Sequence, residues 1–244
     1  MSKILNLLDW ISTSISHKGN ISEKIAMNTM VLMEYAYQKG QDHGINCRMK
    51  ATILTEMLLS LGIVSRILSL HPLNPGDQDN HVVSQVWLSE KKKWIIVDPT
   101  TNSYFMDKNG EMLNAIELRE RIISEDEIVC SPKTTWGSQS DNYKDYLTYM
   151  AKNLFYMHSP VINCFGSEDR EDQKWIVLCP KEFNGKKRDE MKFIAIEENL
   201  KKSGAWNETL GQMIGMMKNK IKNYDFMYTN SVTSFMAPPN KFIT

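Results

Sequence analysis

Cysteine is scarce in this chain and widely scattered, at Cys47, Cys130, Cys164 and Cys179, with no Cys-x-x-Cys pair. That spacing excludes a zinc knuckle or a disulfide-stapled scaffold as the organising device. Excess charge is lacking as well. Lysine plus arginine and aspartate plus glutamate both number 29, so no overall field draws in nucleic acid or an anionic membrane. No run approaches the ~18 apolar residues of a spanning helix. The first twenty residues, MSKILNLLDWISTSISHKGN, lack the apolar run and small-residue cleavage site of a secretory signal. A cytoplasmic protein without membrane association is therefore expected. Phosphate-cradling motifs are missing: GQMIG has no Walker lysine, and GSEDREDQK is acidic. No cofactor is expected, and no internal repeat is found.

What remains is enough for a real core. The 244 residues are 42% hydrophobic, and one α+β domain over residues 1–244 is the expectation. The sixteen methionines read as interior filler. Apolar residues recur every three or four positions over 3–17 and 21–39, predicting two amphipathic helices. Asn46 can cap a third and central helix through CRMKATILTEMLLSL, closed by Gly62. Periodicity then changes. IVSRILSL, HVVSQVWL and WIIVDPT read as strands, with the last two joined by the charged turn SEKKK. Further on, NAIELRERIISEDEI and YKDYLTYMAKNLFYMH look helical and CSPKTTWGSQSDN irregular. KWIVLCP and MKFIAIEE look like strands. Residues 209–222 read as helix, and Pro238 with Pro239 forbids one beyond.

Three of these segments carry chemistry at their edges. Cys47 opens the central helix, His81 begins one strand and Asp98 ends the next, in that order, 34 and then 17 residues apart. A helix N-terminus and a nearby imidazolium both stabilise a thiolate, and a carboxylate on the other ring nitrogen fixes the imidazole's tautomer. A hairpin would bring His81 and Asp98 to the same end of a sheet. Each residue alone has an ordinary explanation: a buried thiol, a loop-to-strand histidine, a strand terminator before proline. The combination is what points to a nucleophile, its base and the base's partner.

With Cys47, Leu61-Gly62-Ile63 followed by Arg66, His81, and Trp94 before Asp98-Pro99-Thr100, the chain resembles the transglutaminase-like superfamily. More narrowly, GINCRMKA resembles its small bacterial members. The shared core covers residues 40–105. The resemblance implies a Cys47–His81–Asp98 catalytic triad and a papain-like/transglutaminase-like fold, with a central helix against an antiparallel sheet and additional flanking helices. Because that superfamily includes crosslinkers, peptidases and amidases, the resemblance implies thiol chemistry on an amide more firmly than crosslinking. Two valines after His81, where many members have an aromatic, and Asn46 in place of the glutamine of animal crosslinkers leave the substrate class open. Calcium dependence does not carry over, because no EF-hand-like acidic loop is present.

For the oxyanion, the Cys47 N–H needs a second donor, and Gln41 and Asn46 are the candidates, with Trp10 and Trp87 as more distant indole donors. Arg48 and Arg66 could frame an acidic substrate, or serve as a solvated residue and a structural ion pair. Phe235 and Met236 could cover the cleft or, more ordinarily, pack on the first helix. A zinc site built from the triad residues, joined by His43 or His71, is the weaker alternative to thiol catalysis, and no metal is expected. The leading expectation is a cysteine amidase or peptidase acting on a peptide or protein amide through a thioester. The alternatives are acyl transfer to an amine and a non-catalytic binding module on the same fold.

Overall fold

The computed structural model describes residues 1–244 apart from 20, 22, 78, 136–142, 182, 213, 216–224 and 240–244. Helix α1 (Ser2–Ser14) buries Ile4, Leu8 and Ile11, one helical stripe. Helix α2 (Thr29–Lys39) begins later than expected because Asn28 accepts a hydrogen bond from the Val31 N–H and caps it there. Helix α3 (Cys47–Ser60) is capped by Asn46, which accepts from the Met49 N–H at 3.0 Å. Its other end closes on Gly62 at φ 73, with the Ile63 N–H donating to Leu58 O and the Gly62 N–H to Leu59 O. That double bond is the usual glycine-terminated helix stop, and it turns the chain into the sheet.

The sheet has eight strands: β1 (Ser65–His71), β2 (His81–Leu88), β3 (Lys93–Asp98), β4 (Ser103–Met106), β5 (Val129–Cys130), β6 (Tyr156–Pro160), β7 (Lys174–Leu178) and β8 (Asp225–Thr229). Their order is β5-β4-β3-β2-β1-β6-β7-β8, antiparallel throughout except for the parallel β7–β8 pair. Strand alternation sends Val86, Ile95 and Val97 to the face that packs α1, α2 and α3. Leu68, Leu70, Val83 and Ile96 go to the other face, under α4 (Ala115–Ile123) and α5 (Tyr143–Asn153). A central helix on a largely antiparallel sheet with flanking helices is the α+β class expected. No helix among the described residues is long and apolar enough to cross a membrane.

Several expectations need correction. MKFIAIEE is not a strand but the middle of α6 (Gly185–Lys202), capped by Asn184. The four-residue FIAI run looks sheet-like, but Phe193, Ile196 and Leu200 fall on one helical face within a continuous helix-forming sequence. The helix expected over residues 143–158 stops at Asn153, and the aromatic residues after it form β6 against β1. Of the helix expected over 209–222, residues 213 and 216–222 lie outside the described residues, as do 136–142 of the irregular stretch. The described part of the tail neither covers the cleft nor packs on α1. Its short helix α7 (Val232–Phe235) buries Phe235 on the α4–α5 face. There Arg66 donates to Phe235 O at 2.8 Å and Trp94 Nε1 to Ala237 O at 3.0 Å. Arg66 is a latch for the tail, with its guanidinium 4.4 Å from the Trp94 ring centroid, and it forms no ion pair among the described residues.

Toward β6 the sheet carries two imidazoles, His71 and His158, with ring centroids 4.6 Å apart in a box with Tyr156 and Trp175. Burial, reinforced by Lys192 and Arg188, holds both below their ordinary 6.5, His158 at about 3. An unfolded chain would protonate these rings near pH 6.5 while the folded one does not. Their contribution is thus whole above pH 6.5 and is lost as pH falls toward 3. We expect His158→Phe to lose less Tm than the wild type on acidification below pH 6.5. Parallel Tm curves for the two proteins would contradict this.

Candidate active site

Register brings the acid and the imidazole together. Ser84 pairs with Val97, and one further step sets Val83 opposite Asp98. His81, two residues before Val83 on the same face, is then the diagonal neighbour of Asp98. The structure realises this contact: His81 Nε2 donates to Asp98 Oδ2 at 2.5 Å, with both side chains buried. Tyr146 from α5 donates its hydroxyl to the same oxygen at 2.6 Å, and the Thr100 N–H donates to Oδ1 at 2.7 Å. The Tyr149 ring lies edge-on to His81 with centroids 5.4 Å apart.

Cys47 comes from the other side, at the first position of α3, where its N–H has no intrahelical partner. The Cys47, His17 and His81 side chains border one groove, and His81, His17 and the Val82 backbone N–H all act on the thiol electrostatically. Because Asp98 holds Nε2, the Nδ1 edge of His81 is left for the sulfur.

The electrostatics follow from burial and pairing. Burial alone would raise the Cys47 thiol above 9.0, but hydrogen bonds from His17 and His81, with the His81 charge, bring it down to about 6. Burial would lower His81, but the Asp98 charge and hydrogen bond raise it to about 10. Burial would likewise raise Asp98, yet the His81 charge, its hydrogen bond and those of Tyr146 and Thr100 hold it at about 2. These directions together favour a thiolate–imidazolium pair backed by a carboxylate at neutral pH. Cys130 and Cys179, by contrast, are pushed up to about 11 by burial.

One further charge sits beneath. Lys50, one turn along α3, is buried, with its ammonium 3.4 Å from Pro99 O. Burial lowers it to about 8 although the Asp98 charge opposes this.

A groove of about 1290 Å³ opens onto the site, lined among others by His17, Cys47, His81, Thr100, Thr135 and Tyr149. The sequence's other candidates are placed differently. Gln41 lines a separate cleft, where its amide nitrogen donates to Ser14 O and its Oε1 accepts from Ser16 Oγ at 2.7 Å. That geometry removes it as an oxyanion donor. Asn46 does line the groove; its Oδ1 caps α3, which leaves its amide Nδ2 as the group that could donate. Trp10 borders the Gln41 cleft, and Trp87 packs on Trp94 at 5.5 Å between centroids. Arg48 is paired with Glu168, which also accepts from Thr52 Oγ1 at 2.9 Å, so it is neither simply solvated nor free to frame a substrate. His43 contacts the Tyr35 hydroxyl at 2.7 Å, and His71 lies in the aromatic box.

Sequence reasoning missed His17, Lys50, Tyr146 and Tyr149. His17 stood in an apparent break between helices, while Tyr146 looked like one more apolar helix position. The usable signal was chemical: a buried tyrosine hydroxyl needs an acceptor, and Asp98 is one.

Residues 1–99 match the family model described as the transglutaminase-like superfamily. No curated protein matches the chain. Among solved structures, one from Cytophaga hutchinsonii named "a Putative Cysteine Protease" overlaps at 16% identity and a TM-score of 0.33. The overlap takes in 56% of this chain and 47% of that one, so the chain spans about half of that protein's length.

Replacing Asp98 by Asn removes the charge that raises His81, which weakens the imidazolium and with it the thiolate. The pH midpoint of Cys47 alkylation by iodoacetamide, followed by peptide mass spectrometry, should rise by roughly one unit or more in Asp98→Asn. An unchanged profile would separate Asp98 from the thiol's ionisation.

Proposed function

We propose that the chain is a cysteine-dependent amidase or peptidase of the transglutaminase-like superfamily, whose family model matches residues 1–99, working as one domain over residues 1–244. The observation that carries this reading is the buried 2.5 Å contact between His81 and Asp98 beside a thiol lowered to about 6. A pair poised in this way supplies both the nucleophile and the acid that amide cleavage needs.

In the first half of the reaction the Cys47 thiolate adds to the amide carbonyl, and His81 gives its proton to the departing nitrogen. Asp98 retains its charge throughout and stabilises the imidazolium. The acyl group is left on sulfur as a thioester. Neutral His81 then takes a proton from an incoming water, and the carboxylate product leaves. Hydrolysis is favoured over transfer because no described residue cluster in the groove singles out an amine. The polar lining, with Asn46, Asn80, Thr100 and Thr135, suits an extended peptide or protein amide. A partly exposed Cys47 bordering an open groove also supports an enzyme over a sealed binding module.

The test is turnover of a peptide-amide library with mass spectrometry of both enzyme and products. We expect an acyl adduct on Cys47 and release of carboxylate products. Cys47→Ser should reduce turnover by roughly a thousandfold or more. Products that retain an added amine in place of water would identify a transglutaminase. Alkylation of Cys47 without turnover of any amide would overturn the enzymatic reading.

A further inference from the structure

With Gln41 turned toward α1, the Cys47 N–H needs a different companion to hold the oxygen of a tetrahedral adduct. We propose that His17 is that companion: a catalytic residue whose imidazole N–H donates, together with the Cys47 amide N–H, to the developing oxyanion. This assignment rests on the acyl-transfer reading of the site.

The backbone fixes His17 in place. His17 forms a parallel bridge with Ile45, in which the Ile45 N–H donates to Ser16 O at 3.0 Å and the Lys18 N–H to Ile45 O at 2.9 Å. These bonds lie two residues ahead of Cys47, so the segment carrying His17 is tied to the segment that starts α3. The approach is close. Gly44 sits at φ +69, and a Cβ there would stand 2.8 Å from Ser16 O. Only glycine permits both the backbone angle and the contact.

The side chain is well placed for the role. His17 is exposed, borders the same groove as Cys47 and His81, and lowers the thiol's pKa. A donor on that groove, on a segment bridged two residues ahead of the nucleophile, stands on the side from which a carbonyl must approach the sulfur. His81 cannot serve as well, because Asp98 occupies one of its nitrogens and the sulfur faces the other. The Cys47 N–H itself is engaged by no group among the described residues.

The step balances without a proton leaving His17. A sulfur lone pair forms the S–C bond, and the carbonyl π pair moves onto oxygen. There it accepts from the His17 and Cys47 N–H groups. When the adduct collapses, that pair re-forms C=O, the C–N bond breaks, and the amine departs with the proton from His81.

Two thiol reactions separate this role from a merely structural one. Acylation by p-nitrophenyl acetate passes through an oxyanion, whereas alkylation by iodoacetamide displaces iodide at a saturated carbon and does not. Both rates would be taken at their alkaline plateaus, so that a change in thiol ionisation does not enter. We expect His17→Ala to slow acylation by roughly a hundredfold while alkylation changes by less than about threefold, with His17→Gln restoring much of the acylation. Because His17 is exposed, neither variant empties a core position. Acylation of His17→Ala at the wild-type rate, or an equal fall in both reactions, would overturn the assignment. A wild-type protein alkylated at Cys47 but never acylated would instead overturn acyl transfer itself, and this inference with it.

Discussion

A carboxylate sealed from water and still ionised is the constraint around which this structure is arranged. Asp98 keeps its charge because it accepts from His81, Tyr146 and the Thr100 N–H, and because an imidazolium and the nearby Lys50 ammonium offset it. Taking away one partner of a buried charge pair costs about 3–5 kcal/mol when the other is left uncompensated. The two ends of β2 and β3, the start of α5 and the first turns of α3 must therefore be in place together. The same pairing sets the reactivity of Cys47, since a ring held as imidazolium is the cation that the thiolate faces.

The fold meets that constraint from two sides of one sheet. Alternation along β2 sends Val82, Ser84 and Val86 toward α3, with Ser84 Oγ bonded to Ala51 O, while His81, Val83 and Gln85 point to the opposite face. His81 and Asp98 thus sit on the α5 side and Cys47 on the α3 side, and they meet where β2 begins. This explains why the His81–Asp98 contact is buried while Cys47 stays partly exposed at the groove. It also places the groove at the end of the sheet, where the loop before β2 and the turn after β3 supply polar lining.

Much of this was legible in the sequence, and for identifiable reasons. Asn46 and Gly62 mark the ends of α3 by capping chemistry that depends on a few local residues. The alternation of HVVSQVWL and WIIV, joined by a short charged turn, yields the hairpin and hence the proximity of His81 and Asp98. What was not legible depended on distant partners. Tyr146 finds Asp98 across 48 residues and Arg66 finds the tail across 169. MKFIAIEE misled because four apolar residues in a row fit either period until their neighbours decide. His17 was overlooked because its position beside the site comes from a bridge to Ile45, and nothing in ISHKGN announces a pairing partner.

The charge state of His81 is the direct observable. Nitrogen-15 NMR of the ring in the intact protein would report its protonation as pH is raised. Both ring nitrogens should carry protons at neutral pH, with the second proton lost only near pH 10. A ring already neutral at pH 7, with Cys47 present as thiol, would contradict an ion pair held in place by Asp98.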